Sequence, residues 1–407
     1  MSASNTYDLI VAGGGAAGFF SAIRTAEKHP NWKILILEKS AKLLSKVLIS
    51  GGGRCNVTHH CFDVEELCLR YPRGGDYLKP HFWAFGPEQT QDWFESKNVP
   101  LKTESDGRMF PTSDSSGSIA NCLLKSAERA NIKVQTREGL ERIEQGNGTY
   151  TITTDKETYA CRNLVLAFGG LPKLIQYDLL GNLNLDIVDP VPSLFTFNIE
   201  MHPLRDLSGV SVPDAEVQVV GLKRKDRGPL LITHWGLSGP AVLRSSAWLA
   251  RELHDKDYRF QVAVNWTGQD KNAVIQSLKH FAEQHPKKQI VSHSPLEHIS
   301  TRLWQSLAGT VIKESYRNWA ESGKKTYAAL ADKLCSDVYQ ADGKTTFKEE
   351  FVTAGGISLD NLDENFQLKE WPGIYVAGEL ADIDGITGGF NFQAAWTAGD
   401  AIARVIR

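Results

Sequence analysis

A glycine-rich turn close to the start of the chain constrains its fold more than any other feature. The segment VAGGGAAG contains Gly13-x-Gly15-x-x-Gly18, follows the apolar run YDLIVA (7–12) and opens AAGFFSAIRTAEKH (16–29), which has helical periodicity. In such a strand–turn–helix unit the first glycine permits a tight turn, the second admits a pyrophosphate and the third lets the helix pack on the strand. We therefore predict a Rossmann-like α/β domain that binds a dinucleotide through Gly13, Gly15, Ala16, Ala17 and Gly18.

An acidic residue narrows the choice of dinucleotide. Glu38 ends the next apolar strand, KILILE (33–38), and lies 20 residues after Gly18. A carboxylate at this position binds a ribose 2′-hydroxyl and repels a 2′-phosphate. Glu38, with Lys39 beside it, thus favours FAD or NAD over NADP as the bound dinucleotide.

Two further segments favour FAD. LVLAFGGLP (164–172) and GIYVAGELADIDGITGGFNFQAAWTAG (373–399) both predict a strand followed by a glycine turn. With the first turn, they resemble the three signature segments of glutathione-reductase-type flavoproteins. The resemblance implies an acid at the ribityl chain, here Glu379 where Asp is more usual. The other cofactor contacts that we predict are Leu140, Ala167, Gly169, Gly378, Gly388, Gly389, Asn391 and Phe392.

The C-terminal helix has a predicted role at the flavin. Asn391 is expected to cap its start, so that free amides there would stabilise the negative charge of a reduced flavin. The chain has no second Gly-x-Gly-x-x-Gly after a strand and no CxxC or CxxxxC pair. Disulfide reductases of this superfamily have both features. NAD(P)H, if it is the electron donor, would therefore dock only transiently.

A second glycine loop, SKVLISGGGRCNVTHH (45–60), is much more specific. It occurs with DGRMFPTSDSSGSIANCL, LLITHWGLSGPAVLRSS and FVTAGGISL, and with the C-terminal segment quoted above. On these motifs the chain resembles, over nearly its whole length, the BaiN-like (RdsA-like) family of bacterial NAD(P)/FAD-dependent oxidoreductases. The resemblance implies a flavin domain of residues 1–190 and 352–407, interrupted at 191–351 by a small antiparallel β-barrel with a helical part at about 268–340.

The resemblance also implies that the second glycine loop lies against the FAD. Gly52 and Gly53 would permit close approach, and Arg54 would pair with a phosphate or with charge on the flavin. Asn56 would bind the pyrimidine edge, and Lys46 would add positive charge near the pyrophosphate. One segment departs from the family: residues 171–190 lack the usual hydroxyl-rich loop, which puts in doubt any contact made there.

Three residues are candidates for the proton donor. In THWGLSGPAV, Ser238 is predicted to cap a helix and His234 lies just before it, where it could act as an acid near neutral pH. Asp382 and Asp384, in the turn after Glu379, are alternative acids. No cluster of residues has the spacing of a metal site.

Composition limits the functional classes. The formal net charge of −3 and the even mixing of charges give no nucleic-acid or membrane signature. The six cysteines favour reduced thiols, and with no signal-peptide pattern we expect a cytoplasmic protein. The sequence leaves the oligomeric state open.

The leading hypothesis is an FAD-dependent oxidoreductase that transfers hydride from NAD(P)H to an activated C=C of a small molecule. The alternatives are an FAD-dependent tRNA-modifying or RNA-associated protein and a non-catalytic FAD-binding sensor. Ene-reduction rests on analogy with a relative that reduces double bonds conjugated to a ketone.

Overall fold

The chain divides into two units. In this computed structural model the described residues are 5–146, 148–200, 203–345 and 352–407. The first unit comprises Met1–Pro192 and Lys348–Arg407, and the second is Ser193–Phe347. The second unit is thus an insertion into the first.

A parallel sheet organises the first unit. Thr6–Ala12 lies between Ile34–Glu38 and Thr158–Leu166, with Val11 opposite Ile36 on one side and Val165 on the other. The sheet continues to Lys133–Thr136 on the first side and to Ile374–Val376 on the second. An antiparallel hairpin, Leu140–Gln145 and Tyr150–Thr154, joins the amino-terminal half of Thr158–Leu166. The central strand is almost entirely buried, as its apolar run requires.

Helices cover this sheet. The first and the last, Ala16–Lys28 and Phe390–Val405, pack closely because Gly399 brings the two backbones together: a Cβ there would lie 2.9 Å from Ser21 N. The other helices of the unit are Ser45–Gly53, Val64–Cys68, Gly75–Phe82, Pro87–Ser96 and Ser116–Arg129, with 3₁₀ turns at Leu174–Leu183, Leu359–Asn361 and Gly378–Leu380. Two small sheets complete it: Thr58–His59, Leu101–Thr103 and Arg108–Pro111 form one, and Ile187–Ser193 with Val352–Ile357 the other.

The second unit is a closed six-stranded barrel with a helical part. Around the barrel the strands are Thr196–Ile199, Gly236–Ser238, Lys225–Ile232, Ser211–Val219, Arg259–Asn265 and Asp337–Thr345. The helices are Pro240–Trp248, Ala250–His254, Lys271–Gln284, Thr301–Val311 and Lys324–Cys335, with 3₁₀ turns at Arg205–Leu207 and Trp319–Glu321. The predicted fold class, a Rossmann-like domain with an inserted β-barrel, is confirmed.

One predicted cap in this unit is wrong. The helix Pro240–Trp248 begins after Gly239, whose φ of 90° suits glycine, and Ser238 belongs to the preceding strand. The Ser238 hydroxyl instead accepts a hydrogen bond from Thr196 Oγ1 at 3.0 Å. Ser238 therefore ties two barrel strands together.

Two features are absent from the described residues. No helix there combines the length and the apolar character needed to cross a membrane. Nor do three or more His, Cys, Asp or Glu residues of that part of the chain group in a way that could hold a metal ion.

Candidate functional site

The three glycine turns converge at one edge of the parallel sheet. Gly13, with φ of 121°, lies so close to Ala167 that a Cβ would clash with the Ala167 carbonyl oxygen. A Cβ on Gly378 would lie 2.9 Å from the Cβ of Ala17. Because carboxyl ends of neighbouring parallel strands meet at this edge, it is the expected ligand site of such a sheet.

The first turn leaves its helix start open. Gly15 precedes the helix Ala16–Lys28 in an extended conformation, and a Cβ built on it would meet no atom within 4 Å. No side chain caps the helix, so its first amides have no side-chain partner. Gly18 differs, since a Cβ there would clash with the carbonyl oxygen of Gly13. The turn thus combines tight internal packing with an open, anion-binding helix end.

Glu38 stands beside this turn, as predicted. Its carboxylate accepts hydrogen bonds from the backbone amides of Gly14 at 2.9 Å and Ser40 at 2.8 Å. Lys39, which follows Glu38, lies against Gly139: a Cβ on Gly139 would lie 3.2 Å from the Lys39 Cβ. Leu140 is the next residue after Gly139. Glu38, Lys39 and Leu140, all predicted to contact the cofactor, are therefore gathered at one place.

The second glycine loop begins at the first turn. The amide of Leu44 donates to the carbonyl of Gly14 at 2.9 Å, and the helix Ser45–Gly53 starts directly after it. Gly51 and Gly52 have left-handed dihedrals inside this helix, with φ of 58° and 68°, and Gly53 follows with φ of 83°. Such a run is open only to glycine, and no atom would meet a Cβ on Gly52 or Gly53 within 4 Å.

The same segment ends at the start of the terminal helix. Trp396 Nε1 donates to the Val57 carbonyl at 3.0 Å, and His59 Nδ1 lies 3.0 Å from the carbonyl oxygen of Gly388. Asn56 is 9% exposed, and its Oδ1 lies 2.8 Å from the position of a Cβ on Gly389. That oxygen is buried and has no hydrogen-bond partner among the described residues. Asn56 thus presents an unsatisfied acceptor beside the helix start.

Arg54 differs from its prediction. Its guanidinium lies over the ring of Phe110, 4.0 Å from the centroid, and pairs with Glu104 at 2.6 Å and Asp114 at 3.5 Å. These carboxylates already neutralise the charge that we had assigned to a phosphate or the flavin. Arg54 therefore fixes the glycine loop to the small sheet.

Lys46 is also placed differently. Its Nζ lies 2.8 Å from Glu379 Oε2, while Glu379 Oε1 accepts from the Thr353 amide at 2.8 Å. Lys46 therefore neutralises the acid predicted to reach the ribityl chain. The Thr353 hydroxyl is buried without a hydrogen-bond partner in the described part of the chain, and Gly170 packs against both Thr353 and Glu379.

A tyrosine that we did not predict lies close to this acid. Tyr177 is 4% exposed, and its hydroxyl makes no hydrogen bond of normal geometry with the described residues. Burial raises the pKa of Tyr177 to about 12; the backbone of Leu171 opposes this shift, and the charges of Glu379 and Asp382 add to it. Tyr177 is thus a buried hydroxyl that stays protonated at neutral pH.

The predicted cap of the terminal helix is wrong. The helix Phe390–Val405 starts after Gly389, which has φ of 94°, and Asn391 lies inside the first turn. Its side chain accepts from Gly385 N at 2.8 Å and donates to Gly385 O at 2.9 Å, which closes the preceding loop. Phe392 stacks on Trp396, with ring centroids 5.7 Å apart. The helix amides therefore keep no side-chain cap, which is the property that a flavin anion would need.

The candidate acids lie in different settings. Asp384 is fully buried, and both its oxygens are held by Arg73. Because the guanidinium occupies both carboxylate oxygens, neither is available to a substrate, which argues against a catalytic role. Asp382 lies in the same turn, and His234 is exposed on the inserted unit.

The buried Arg73–Asp384 pair is expected to contribute to the stability of the fold. Asp384→Asn leaves the guanidinium without its counter-charge, so we expect the free energy of unfolding to fall by about 3 to 5 kcal/mol. Urea denaturation checks this, with Asp106→Asn as control. Asp106 pairs with Arg108 at the surface, at 2.7 Å, where such pairs contribute about 1 kcal/mol or less. A loss as small as the control's would return Asp384 to the candidate acids.

Three polar residues near the site had escaped sequence reasoning. Thr353 and His59 lie inside quoted motifs, but no spacing rule distinguishes them from their neighbours. Tyr177 lies in the segment that departs from the family pattern, so no motif could have indicated it.

The chain is similar to known proteins over nearly its whole length. Residues 7–405 match the family described as HI0933-like protein Rossmann domain. The chain is 28% identical over 418 residues to the ribosomal RNA dihydrouridine synthase of Escherichia coli (strain K12), which covers 98% of this chain and 97% of that one. It is 25% identical over 413 residues to the 3-dehydro-bile acid delta(4,6)-reductase of Clostridium scindens, covering 96% of each.

Solved structures share the fold. The 3-ketosteroid delta1-dehydrogenase from Sterolibacterium denitrificans, in complex with 1,4-androstadiene-3,17-dione, matches with a TM-score of 0.53 at 13% identity over 99% of both chains. A flavocytochrome c3 fumarate reductase in an open conformation matches with a TM-score of 0.50 at 17% identity over 99% of this chain and 79% of that one. The resemblance stated from the motifs is confirmed, and the chain belongs to the family described as HI0933-like protein Rossmann domain.

Proposed function

We propose that this protein reduces a carbon–carbon double bond conjugated to a carbonyl in a small molecule, with bound FAD and with NAD(P)H as a transient electron donor. The observation that carries the proposal is the convergence of three glycine turns on a single open edge, where Asn56 and the uncapped terminal helix meet. This edge has the donors, acceptors and open backbone that an extended two-phosphate cofactor requires.

The residues present fit FAD. The turn at Gly15 would hold the pyrophosphate, Glu38 the adenosine ribose, Glu379 the ribityl chain, and Asn56 the pyrimidine edge. When bound, FAD supplies hydride chemistry. The protein must then supply the proton that completes the reduction, and the buried hydroxyl of Tyr177 near Glu379 is the donor that we propose in place of Asp384. His234 and Asp382 remain the alternative acids.

The names of two relatives point to the same bond type. A 3-dehydro bile acid has a ketone at carbon 3, with which double bonds at positions 4 and 6 are conjugated. Dihydrouridine forms when the C5=C6 bond of uracil, conjugated to the C4 carbonyl, gains two hydrogens. Reduction of a conjugated C=C is therefore the reaction on which we base the substrate class.

A two-stage anaerobic experiment tests the proposal. The purified protein should be yellow, and NADH or NADPH should bleach its flavin. The reduced protein should then be reoxidised by cyclohexenone or by a 3-keto-4-ene steroid, with the saturated ketone as product. A colourless protein that FAD cannot reconstitute would overturn the cofactor assignment. Reoxidation by quinones but by no enone would overturn the substrate class, and no reduction by either nucleotide would overturn the donor.

A second candidate function is the reduction of uracil in RNA. The 28% identity to a ribosomal RNA dihydrouridine synthase over nearly the whole of both chains favours it. The photoreduced protein would be mixed with ribosomal RNA, and its nucleosides analysed by mass spectrometry. Formation of dihydrouridine, without turnover of free enones, would select this candidate over the small-molecule reductase. A sensor would catalyse neither reaction.

A further inference from the structure

Two loops of the inserted helical part are joined into a rigid platform. The amide of Ile290 donates to the Arg317 carbonyl at 2.9 Å, and the amide of Trp319 donates to the Lys288 carbonyl at 2.9 Å. Trp304 Nε1 donates to the Ile290 carbonyl at 2.8 Å, and both indole rings are fully buried. The pairing brings together residues that are some thirty positions apart in sequence.

Six cations belong to these two loops or to the start of the helix that follows them, and we call them the basic tip. Its members are Lys287, Lys288, Lys313, Arg317, Lys324 and Lys325. All are exposed except Arg317, which is half-buried. In the described part of the chain none of the six forms an ion pair with a carboxylate, although Glu283, Glu314 and Glu321 are close in sequence. The tip therefore has a net positive charge.

Several cations in the barrel of the same unit, by contrast, form ion pairs with carboxylates. Arg227 pairs with Asp214 at 2.5 Å, and Lys225 pairs with Glu216 at 2.8 Å. The whole insertion has 20 Lys and Arg against 16 Asp and Glu, while the rest of the chain has 25 against 32. Although the overall formal charge is −3, the insertion therefore has more basic than acidic residues, and the rest of the chain has more acidic than basic residues.

An aromatic ring accompanies these charges. Tyr316 is 72% exposed and lies between Lys313 and Arg317 in sequence. An exposed ring among unpaired cations suits a nucleic acid strand, because bases stack on the ring while cations contact phosphates. Clustered cations also attract anionic membranes, but only a nucleic acid offers bases that stack on the exposed ring. We propose that the basic tip is a binding surface for single-stranded or looped RNA.

The proposal rests on the second candidate function, the reduction of uracil in RNA. RNA binding is measured without turnover, so a failure of the binding surface can be distinguished from a failure of the proposed reaction. The probe is a fluorescently labelled RNA hairpin with a uridine-rich loop, titrated with full-length, FAD-loaded protein at several salt concentrations. Lys287→Glu with Lys288→Glu should weaken binding by at least about tenfold and reduce the slope of log affinity against log salt by about 1.4. Tyr316→Ala should weaken binding about fivefold or more with little change in slope.

A matched control isolates the tip. Lys223→Glu with Lys256→Glu makes the same charge change at exposed positions in the turns before two barrel strands of the same unit, and should leave RNA affinity within about twofold of the wild type. Melting temperature and flavin content should be unchanged in every variant. If the Lys223/Lys256 variant weakened RNA binding as much as the Lys287/Lys288 variant, overall charge rather than the basic tip would account for binding, and the proposal would be overturned. Wild-type protein that does not bind the hairpin, or that binds vesicles of anionic phospholipid instead, would overturn RNA as the partner.

Discussion

Gly15→Val should yield a folded protein that has lost its flavin. A Cβ at this position would meet no atom within 4 Å, and the backbone is extended, so we expect the substitution to cost the apoprotein little. It would, however, fill the space over the helix start where we place the pyrophosphate. We expect the dissociation constant for FAD to rise by about 100-fold or more, equivalent to about 3 kcal/mol. The measurement is the flavin-to-protein absorbance ratio, together with FAD titration of the apoprotein.

Gly309→Val is the control for this substitution. Gly309 is an exposed helical glycine, and a Cβ there would also meet no atom within 4 Å. This variant should retain its flavin and its melting temperature. A Gly15→Val protein with a full complement of FAD would show that the pyrophosphate lies elsewhere, and the assignment of the whole edge would then fail.

The backbone of the site was predictable because it is encoded locally. A glycine such as Gly13 is required by its own dihedral angle and by the strand beside it, so its neighbours in sequence identify its role. The apolar runs likewise specify buried parallel strands, and parallel strands place their carboxyl ends at one edge. The fold and the convergence of the turns follow from these local requirements.

The side-chain partners were not predictable, because they come from distant parts of the chain. Arg54 pairs with Glu104, which lies fifty residues away, and Lys46 pairs with Glu379. Asn391 closes a loop of its own rather than capping the helix, since Gly389 already ends the turn in a left-handed conformation. Charge pairing depends on the tertiary structure, and a sequence without an alignment gives no signal for it.

The basic tip is a second feature that could not be predicted from the sequence, because it also depends on the tertiary structure. Its cations come from three stretches of sequence, and each contains an acid that makes the composition look mixed. Only the backbone hydrogen bonds between the two loops show that Lys288 and Arg317, far apart in sequence, lie on neighbouring segments. An argument from net charge therefore missed a local surface of opposite sign.

Tyr177→Phe should slow the oxidative half-reaction with an enone by a factor of about 100 to 10,000, the range expected when a general acid is removed. The hydroxyl is buried, the charge of Glu379 adds to the rise of its pKa, and it makes no hydrogen bond of normal geometry with the described residues. Reoxidation by a quinone should stay within about twofold of the wild type, because no proton is delivered to carbon. Stopped-flow flavin absorbance measures both rates, and the static flavin spectrum reports whether the site is intact. Tyr150→Phe removes a hydroxyl that donates to the Pro372 carbonyl, and it should leave both rates unchanged.

The pH dependence separates Tyr177 from its competitors. Because burial raises the pKa of Tyr177 to about 12, the phenol stays protonated through neutral and mildly alkaline pH. The enone rate should then be flat from about pH 6 to pH 10 and fall only above this range, since the acid form is lost as pH passes the pKa. An ordinary histidine or carboxylate donor loses its proton well below pH 9, so its rate would already have fallen there. A decline centred near neutral pH, together with an unimpaired Tyr177→Phe, would transfer the role to His234 or Asp382.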